Sequence, residues 1–144
     1  MKLRLFCALL VLLICSVLLL PGCNRENPVA FNYELENRIY ICGEEGSIAV
    51  TMENKGEEFS FKESEFGAYF YVEVEGEKFI INCMRMFLPD MVGENRYTLN
   101  AGAISREVLY FNIPDDAPAG AYSLYLYCKD MNATYSDVIE VKCG

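Results

Sequence analysis

The chain has 144 residues, 53% of them hydrophobic, with 21 acidic against 12 basic side chains, a formal net charge of -9 and no histidine. That length suits one modest domain, and the acidity argues against nucleic-acid binding, which needs cations to displace phosphate counterions. Without histidine the Ser-His and Cys-His dyads, the usual zinc sites and the commonest general base are all missing, so a non-catalytic protein with no metal and no cofactor is expected.

Residues 1–4 carry two positive charges, and residues 5–20 form an uncharged apolar run that closes in Leu20-Pro21-Gly22-Cys23. The run is short for a membrane-spanning helix, which needs about 20 apolar residues, and its layout is that of an export leader. Leu20, Gly22 and Cys23 resemble the lipobox of bacterial lipoprotein signal peptides: an aliphatic residue, a small one, then the obligatory cysteine. The resemblance implies that residues 1–22 are removed and that Cys23 becomes a lipid-modified first residue on the extracytoplasmic side of the cell membrane. Two or three chains there hold far better than one, at ~0.8 kcal/mol per buried methylene. An ordinary secretory signal or an uncleaved anchor is the competing reading. Residues 23–28 then form the lipidated cysteine and a tether that reaches no more than about 20 Å. The 122 residues from Cys23 onward would carry a net charge of -11. Anionic headgroups repel such a domain, so it should hang from its anchor instead of lying flat.

From residue 29 to 144 no apolar 3,4 repeat is long enough for a helix, whereas alternation of period two recurs, so the segment reads as all-β. Strands are expected at 29–35 and 38–42, then at 46–53 with Ile48, Val50 and Met52 on one side, closed by the Asn54-Lys55-Gly56 turn. The next, 69–75, puts Phe70, Val72 and Val74 on one face and Tyr69, Tyr71, Glu73 and Glu75 on the other. Glu75-Gly76-Glu77 breaks it, and 79–86 returns as its hairpin partner with Phe79, Ile81 and Cys83 together. Residues 105–113 turn Leu109, Phe111 and Ile113 inward. A proline-rich corner at 114–120 follows, where the ring fixes the backbone and removes ladder donors. Residues 121–128 bury Tyr122, Leu124, Leu126 and Cys128 and turn out Ser123, Tyr125 and Tyr127, and 136–143 closes the domain. About seven strands in this length match a Greek-key sandwich.

Met52-Glu53-Asn54, the hairpin around Gly76, the Asn100-Ala101-Gly102 turn, Phe111-Asn112-Ile113-Pro114 and Pro118-Ala119-Gly120-Ala121-Tyr122-Ser123-Leu124 together resemble bacterial immunoglobulin-like domains. Many of those sit on secreted and lipid-anchored proteins of Gram-positive bacteria. The resemblance spans residues 29–144 and implies an immunoglobulin-like β-sandwich; it specifies fold better than function. Relatives often place a tryptophan in the middle hairpin, where this chain has Phe79. A fainter resemblance is to small bacterial intracellular proteinase inhibitors of the same sandwich type, which lack an export leader.

Cys7 and Cys15 leave with the leader and Cys23 takes the lipid, so Cys42, Cys83, Cys128 and Cys143 remain. An even number outside the cytoplasm suggests two disulfides. A tetrathiolate metal site is disfavoured by spacings of 41, 45 and 15 residues, with no C-x-x-C pair; buried free thiols are the other reading. Strands named in immunoglobulin order bring Cys42 and Cys143 to one end and Cys83 and Cys128 to the other, which implies the pairs Cys42 with Cys143 and Cys83 with Cys128.

The same fold lays the Tyr69 strand beside the Tyr125 strand and so gathers Tyr69, Tyr71, Tyr125 and Tyr127 on one outward face. Tyrosine suits recognition because its ring gives area at small entropy cost and its hydroxyl hydrogen-bonds. Cross-strand pairing that merely stabilises a solvated face, at about 0.2 to 1 kcal/mol per pair, is the alternative. Phe87, Leu88 and Met91 put large apolar groups into a loop, either as a contact surface or as a cover for an open sheet edge. Glu44-Glu45, Glu57-Glu58 and Asp115-Asp116 lack the ligand spacing of a calcium loop and read as solvated charge. The expected function is a membrane-anchored binding module for an envelope protein or glycan. The alternatives are a sandwich-type proteinase inhibitor using the Phe87 loop, or a passive structural envelope lipoprotein.

Overall fold

The computed structural model describes residues 28–85 and 95–143. The leader, Cys23, Phe87, Leu88 and Met91 lie outside these residues. Period-two alternation becomes ten strands among the described residues: β1 (Val29–Leu35), β2 (Ile39–Ile41), β3 (Glu45–Asn54), β4 (Phe59–Lys62), β5 (Phe66–Val74), β6 (Glu77–Cys83), β7 (Arg96–Leu99), β8 (Ile104–Asn112), β9 (Gly120–Cys128) and β10 (Met131–Lys142). A 3-10 turn at Glu63–Glu65 leads into β5. One sheet has the order β1-β3-β8, a second the order β2-β10-β9-β5-β6, and β4 pairs with β7 beside them. β2 runs parallel to β10, while the other ladders are antiparallel. This is the immunoglobulin-like arrangement, and the chain is an all-β sandwich.

Alternation explains the core. Ile48, Val50 and Met52 of β3 and Leu109 and Phe111 of β8 are buried, as are Phe70 of β5 and Tyr122, Leu124 and Leu126 of β9. Each such side chain contributes about 1.5–3 kcal/mol when fully removed from water. Phe111 joins the sheets by meeting Tyr40 of β2 and Phe70 of β5 edge-on, at centroid distances of 5.1 and 4.8 Å. Offset and edge contacts suit the ring quadrupole. At the proline corner the Tyr122 hydroxyl donates to the Pro118 carbonyl at 2.8 Å, the tyrosine corner of sandwich folds. Asn54 is the one polar residue buried among the described residues. Its Nδ2 donates to the carbonyls of Glu57, Leu99 and Asn100, and its Oδ1 accepts from the Gly56 N–H. It thereby ties the end of β3 to the β7–β8 turn without leaving an orphaned amide.

The strands differ from the sequence expectation in places that have local causes. β4 and β7 are four residues each, too short for alternation to stand out. β10 begins at Met131, five residues earlier than expected, because a register shift between Tyr135 and Ile139, with Asp137 at φ 51°, interrupts its alternation. Such a bulge hides the continuity of a strand from any period-two reading. Val74, expected inward, is 41% exposed, since the β5–β6 hairpin extends past the packed sheet. β6 stops at Cys83, and Met84 exchanges two backbone hydrogen bonds with Tyr110 of β8, each 2.7 Å.

Cys42 and Cys143 are joined, as expected, at a Cα separation of 5.3 Å. They follow the two parallel strands β2 and β10 at one end of the sandwich. The second expected bridge is corrected: Cys83 and Cys128 are free and buried. Cys83 pairs with Ala68 and Cys128 with Phe66 on opposite edges of β5. Two strand spacings already separate them by about 10 Å, beyond the ~7 Å that a disulfide can span. Strand order alone had brought them to the same end; β5 between them keeps them apart. Burial pushes both thiols up to about 12, so they are poor nucleophiles. In a chain starting at Asn24, a thiol reagent should find no reactive cysteine in the native protein and two after unreduced unfolding; a bridge between Cys83 and Cys128 would leave none in either state.

Candidate functional site

The four tyrosines singled out in the sequence do come together. β5 and β9 are neighbours with Tyr69 directly opposite Tyr125, and their rings stack at 4.9 Å with 26° between planes. Two residues along each strand, on the same face, Tyr71 lies 6.1 Å from Tyr69 and Tyr127 lies 6.2 Å from Tyr125. The cluster is a staggered row across the middle of the five-stranded sheet, with all four rings partly exposed.

Gly67 sets the lower end of the row. It pairs with Tyr127, and a Cβ there would lie 2.5 Å from the Tyr127 hydroxyl oxygen and 2.8 Å from its Cζ. The Tyr127 ring therefore leans across β5, over backbone that carries no side chain. At the other end the Lys78 ammonium sits 4.6 Å above the Tyr71 ring, a cation–π contact worth about 0.5–1 kcal/mol at an exposed site. Ile80, 45% exposed, is opposite Tyr71, and Asn82 is opposite Tyr69. The Tyr69 hydroxyl is held above its ordinary pKa, first by burial and then by the neighbouring Tyr125, Tyr71 and Tyr127 hydroxyls. Tyr40, Tyr122 and Tyr135 are shifted the same way, with burial the leading cause.

The face offers ring surface, hydroxyls and little charge, which is equipment for binding. Among the described residues no group of three or more histidine, cysteine or acidic side chains could hold a metal ion. The acidic pairs stay spread over separate turns: Glu44-Glu45 opens β3, Glu57-Glu58 precedes β4, and Asp115-Asp116 lies in the proline corner. Phe87, Leu88 and Met91 are outside the described residues, so only the flanks of their loop are placed.

Arg85, just past β6, was not singled out by its sequence context. Its guanidinium is 5.0 Å from the centres of both the Phe66 and Tyr97 rings, 3.3 Å from Glu63 and 3.8 Å from Glu107. These partners come from three separate stretches of chain, the Glu63-to-Phe66 turn, β7 and β8, so no local motif could have revealed the cluster. Beside it a cavity of about 290 Å³ is lined by Met84, Arg85, Tyr110 and Phe111 together with Glu45, Gly46 and Asn112. A groove of about 430 Å³ lies between the β5–β6 hairpin tip and Pro118.

No protein-family profile matches the chain, and no curated protein sequence matches it. Among solved structures, the sporulation control protein Spo0M of Bacillus subtilis is similar with a TM-score of 0.54 at 15% identity, over 83% of this chain and 51% of that one. The alkylpurine DNA glycosylase AlkC of Pseudomonas fluorescens, bound to DNA containing an abasic-site analogue, reaches 0.57 at 12% identity over 82% of this chain and 31% of that one. The chain thus spans about half the length of the first and under a third of the second. At such identities the likeness is one of fold.

Gly67→Ala should push Tyr127 off β5 and change the near-ultraviolet circular dichroism of the tyrosines while the far-ultraviolet strand signal stays; an unchanged tyrosine band would contradict the packing described. Stability should also fall on the alkaline side. An unfolded tyrosine ionises near pH 10 (about 10), whereas Tyr40, Tyr69, Tyr122 and Tyr135 hold their protons to higher pH when folded. Their contribution is complete below that pH and is lost as pH rises through the folded values, because the unfolded chain releases protons first. The free thiols of Cys83 and Cys128, held up to about 12 by burial against about 8.5 when unfolded, begin the same loss earlier, so urea midpoints should start to fall from about pH 8.5 and fall more steeply once the tyrosines join.

Proposed function

We propose that this chain is a membrane-anchored, extracytoplasmic immunoglobulin-like module that binds an envelope protein or glycan through its tyrosine face and catalyses nothing. The observation that carries the reading is the gathering of Tyr69, Tyr71, Tyr125 and Tyr127 on one outward face. Aromatic side chains of this kind are enriched at recognition surfaces, where one end of the ring system is apolar and the other wet.

The anchor enters through the resemblance of Leu20, Gly22 and Cys23 to a lipobox. Val29 pairs with Asn54 at one end of the sandwich and the Cys42–Cys143 bridge closes the other. A chain held at Cys23 would then stand with its strands pointing away from the membrane and the tyrosine face turned sideways. No helix among the described residues is long and apolar enough to cross a membrane.

Metabolic labelling with palmitate should mark the wild type and leave Cys23→Ser unlabelled. A pull-down from envelope extracts should recover partners with the wild type and at least roughly tenfold less with Tyr71→Ala combined with Tyr125→Ala. Equal recovery by both would clear the tyrosine face of a role.

A further inference from the structure

The tyrosine face differs from the rest of this acidic chain in carrying almost no net charge. Alternation turns Glu73 of β5 and Lys78 of β6 outward, and these two are the only charged residues at outward positions on β9, β5 and β6. They stand opposite each other across the β5–β6 ladder, so the three strands present a balanced surface on a chain with a net charge of -9. Opposite charges in that position neutralise one another locally. A polycation would be drawn to other parts of the molecule, and a second copy of the chain would bring its own excess of negative charge.

The polar groups beside the rings are short and neutral. Ser123 is opposite Tyr71, Asn82 opposite Tyr69 and Thr134 opposite Tyr125. Tyr127 rests its inner side over Gly67, which leaves its outer side to solvent. From the level of Tyr71 to the level of Tyr127 the row covers four strand residues, or about 14 Å along the strand axis.

We infer that this face takes a neutral glycan chain, laid along the row from Tyr71 to Tyr127. The inference rests on the reading of the tyrosine face as the binding surface. The C–H bonds of a sugar ring carry partial positive charge and pack on the negative face of an aromatic ring. The hydroxyls around the sugar's rim both donate and accept, as do the side-chain amide of Asn82 and the hydroxyls of Ser123, Thr134 and the tyrosines. A ligand without charge suits a surface whose own two charges cancel. The length of the row favours several linked sugar units over a monosaccharide.

The chain has no tryptophan and ten tyrosines, four of them in the row, so tyrosine emission is read free of indole and the row's share of it is assigned by the variants below. The full chain in a polyoxyethylene detergent, which carries no sugar headgroup, is titrated with linear gluco-, xylo-, manno- and chito-oligosaccharides. Saturable quenching by at least one of them is expected, with affinity equal at low and high salt because no ion pair is involved. Tyr71→Ala and Tyr127→Ala should each weaken it at least roughly tenfold, while Tyr110→Ala, on the other sheet and 43% exposed, should bind as the wild type does. Thermal unfolding of every variant checks that it is folded, and Tyr71→Ala, at the rim, keeps the test open if Tyr127→Ala is not. Absence of quenching by all four series overturns the glycan assignment, and so does binding that salt abolishes or that both tyrosine variants retain. If glycans fail while a protein is retained by the wild type and lost by Tyr71→Ala with Tyr125→Ala, the glycan is wrong and the binding face stands. If neither glycan nor protein depends on the tyrosines, both fall.

Discussion

The register of β5 against β9 decides two surfaces at once, because successive side chains of a strand point to opposite faces. With Tyr69 opposite Tyr125 and Phe70 opposite Leu124, the apolar set Phe70, Leu124 and Leu126 enters the core while the tyrosines emerge together. A slip of one residue would exchange the two sets, burying hydroxyls and exposing the core. The cost of that exchange is spread over the whole ladder, so the aromatic face is held by the same energy that holds the sandwich. Gly67 and Tyr127 share in it, since only a residue without a side chain lets the ring lean across β5.

Much of this was legible from the residues. Ile48-Ala49-Val50-Thr51-Met52 and Tyr122-Ser123-Leu124-Tyr125-Leu126 alternate cleanly, and their burial follows that alternation without exception. The Pro118-to-Tyr122 corner was visible because prolines, glycine and tyrosine stand at fixed offsets along the chain. What escaped reading depends on distant partners. β4 and β7 stabilise each other across 34 or more residues of chain, and neither announces itself alone. The Arg85 cluster assembles from segments that no periodicity relates. The Cys83 and Cys128 pairing failed for a similar reason: topology gives the end at which a residue arrives, whereas a covalent bridge needs lateral adjacency, and β5 occupies that place.

The two cysteine pairs therefore have opposite fates on one scaffold. Cys42 and Cys143 follow β2 and β10, which are hydrogen-bonded neighbours, and their bond closes a separation of 101 residues. Cross-linking so long a stretch restricts the unfolded chain strongly, nominally by about 4–5 kcal/mol. Cys83 and Cys128 act instead as small apolar side chains within the same hydrophobic cluster, where free cysteine is common. Loss of either would be felt as a packing change, with no effect on connectivity.

The seven-residue ladder between β1 and β3 has a mechanical consequence. Tension entering at Pro28 along the strand axis, against resistance offered by the opposite sheet, would load that ladder in shear. Its hydrogen bonds would then share the force side by side instead of opening one after another, and the Tyr135 hydroxyl bond to the Phe31 carbonyl would add a rivet from the facing sheet. A domain stretched in this direction should resist rupture better than one peeled from the side of β1.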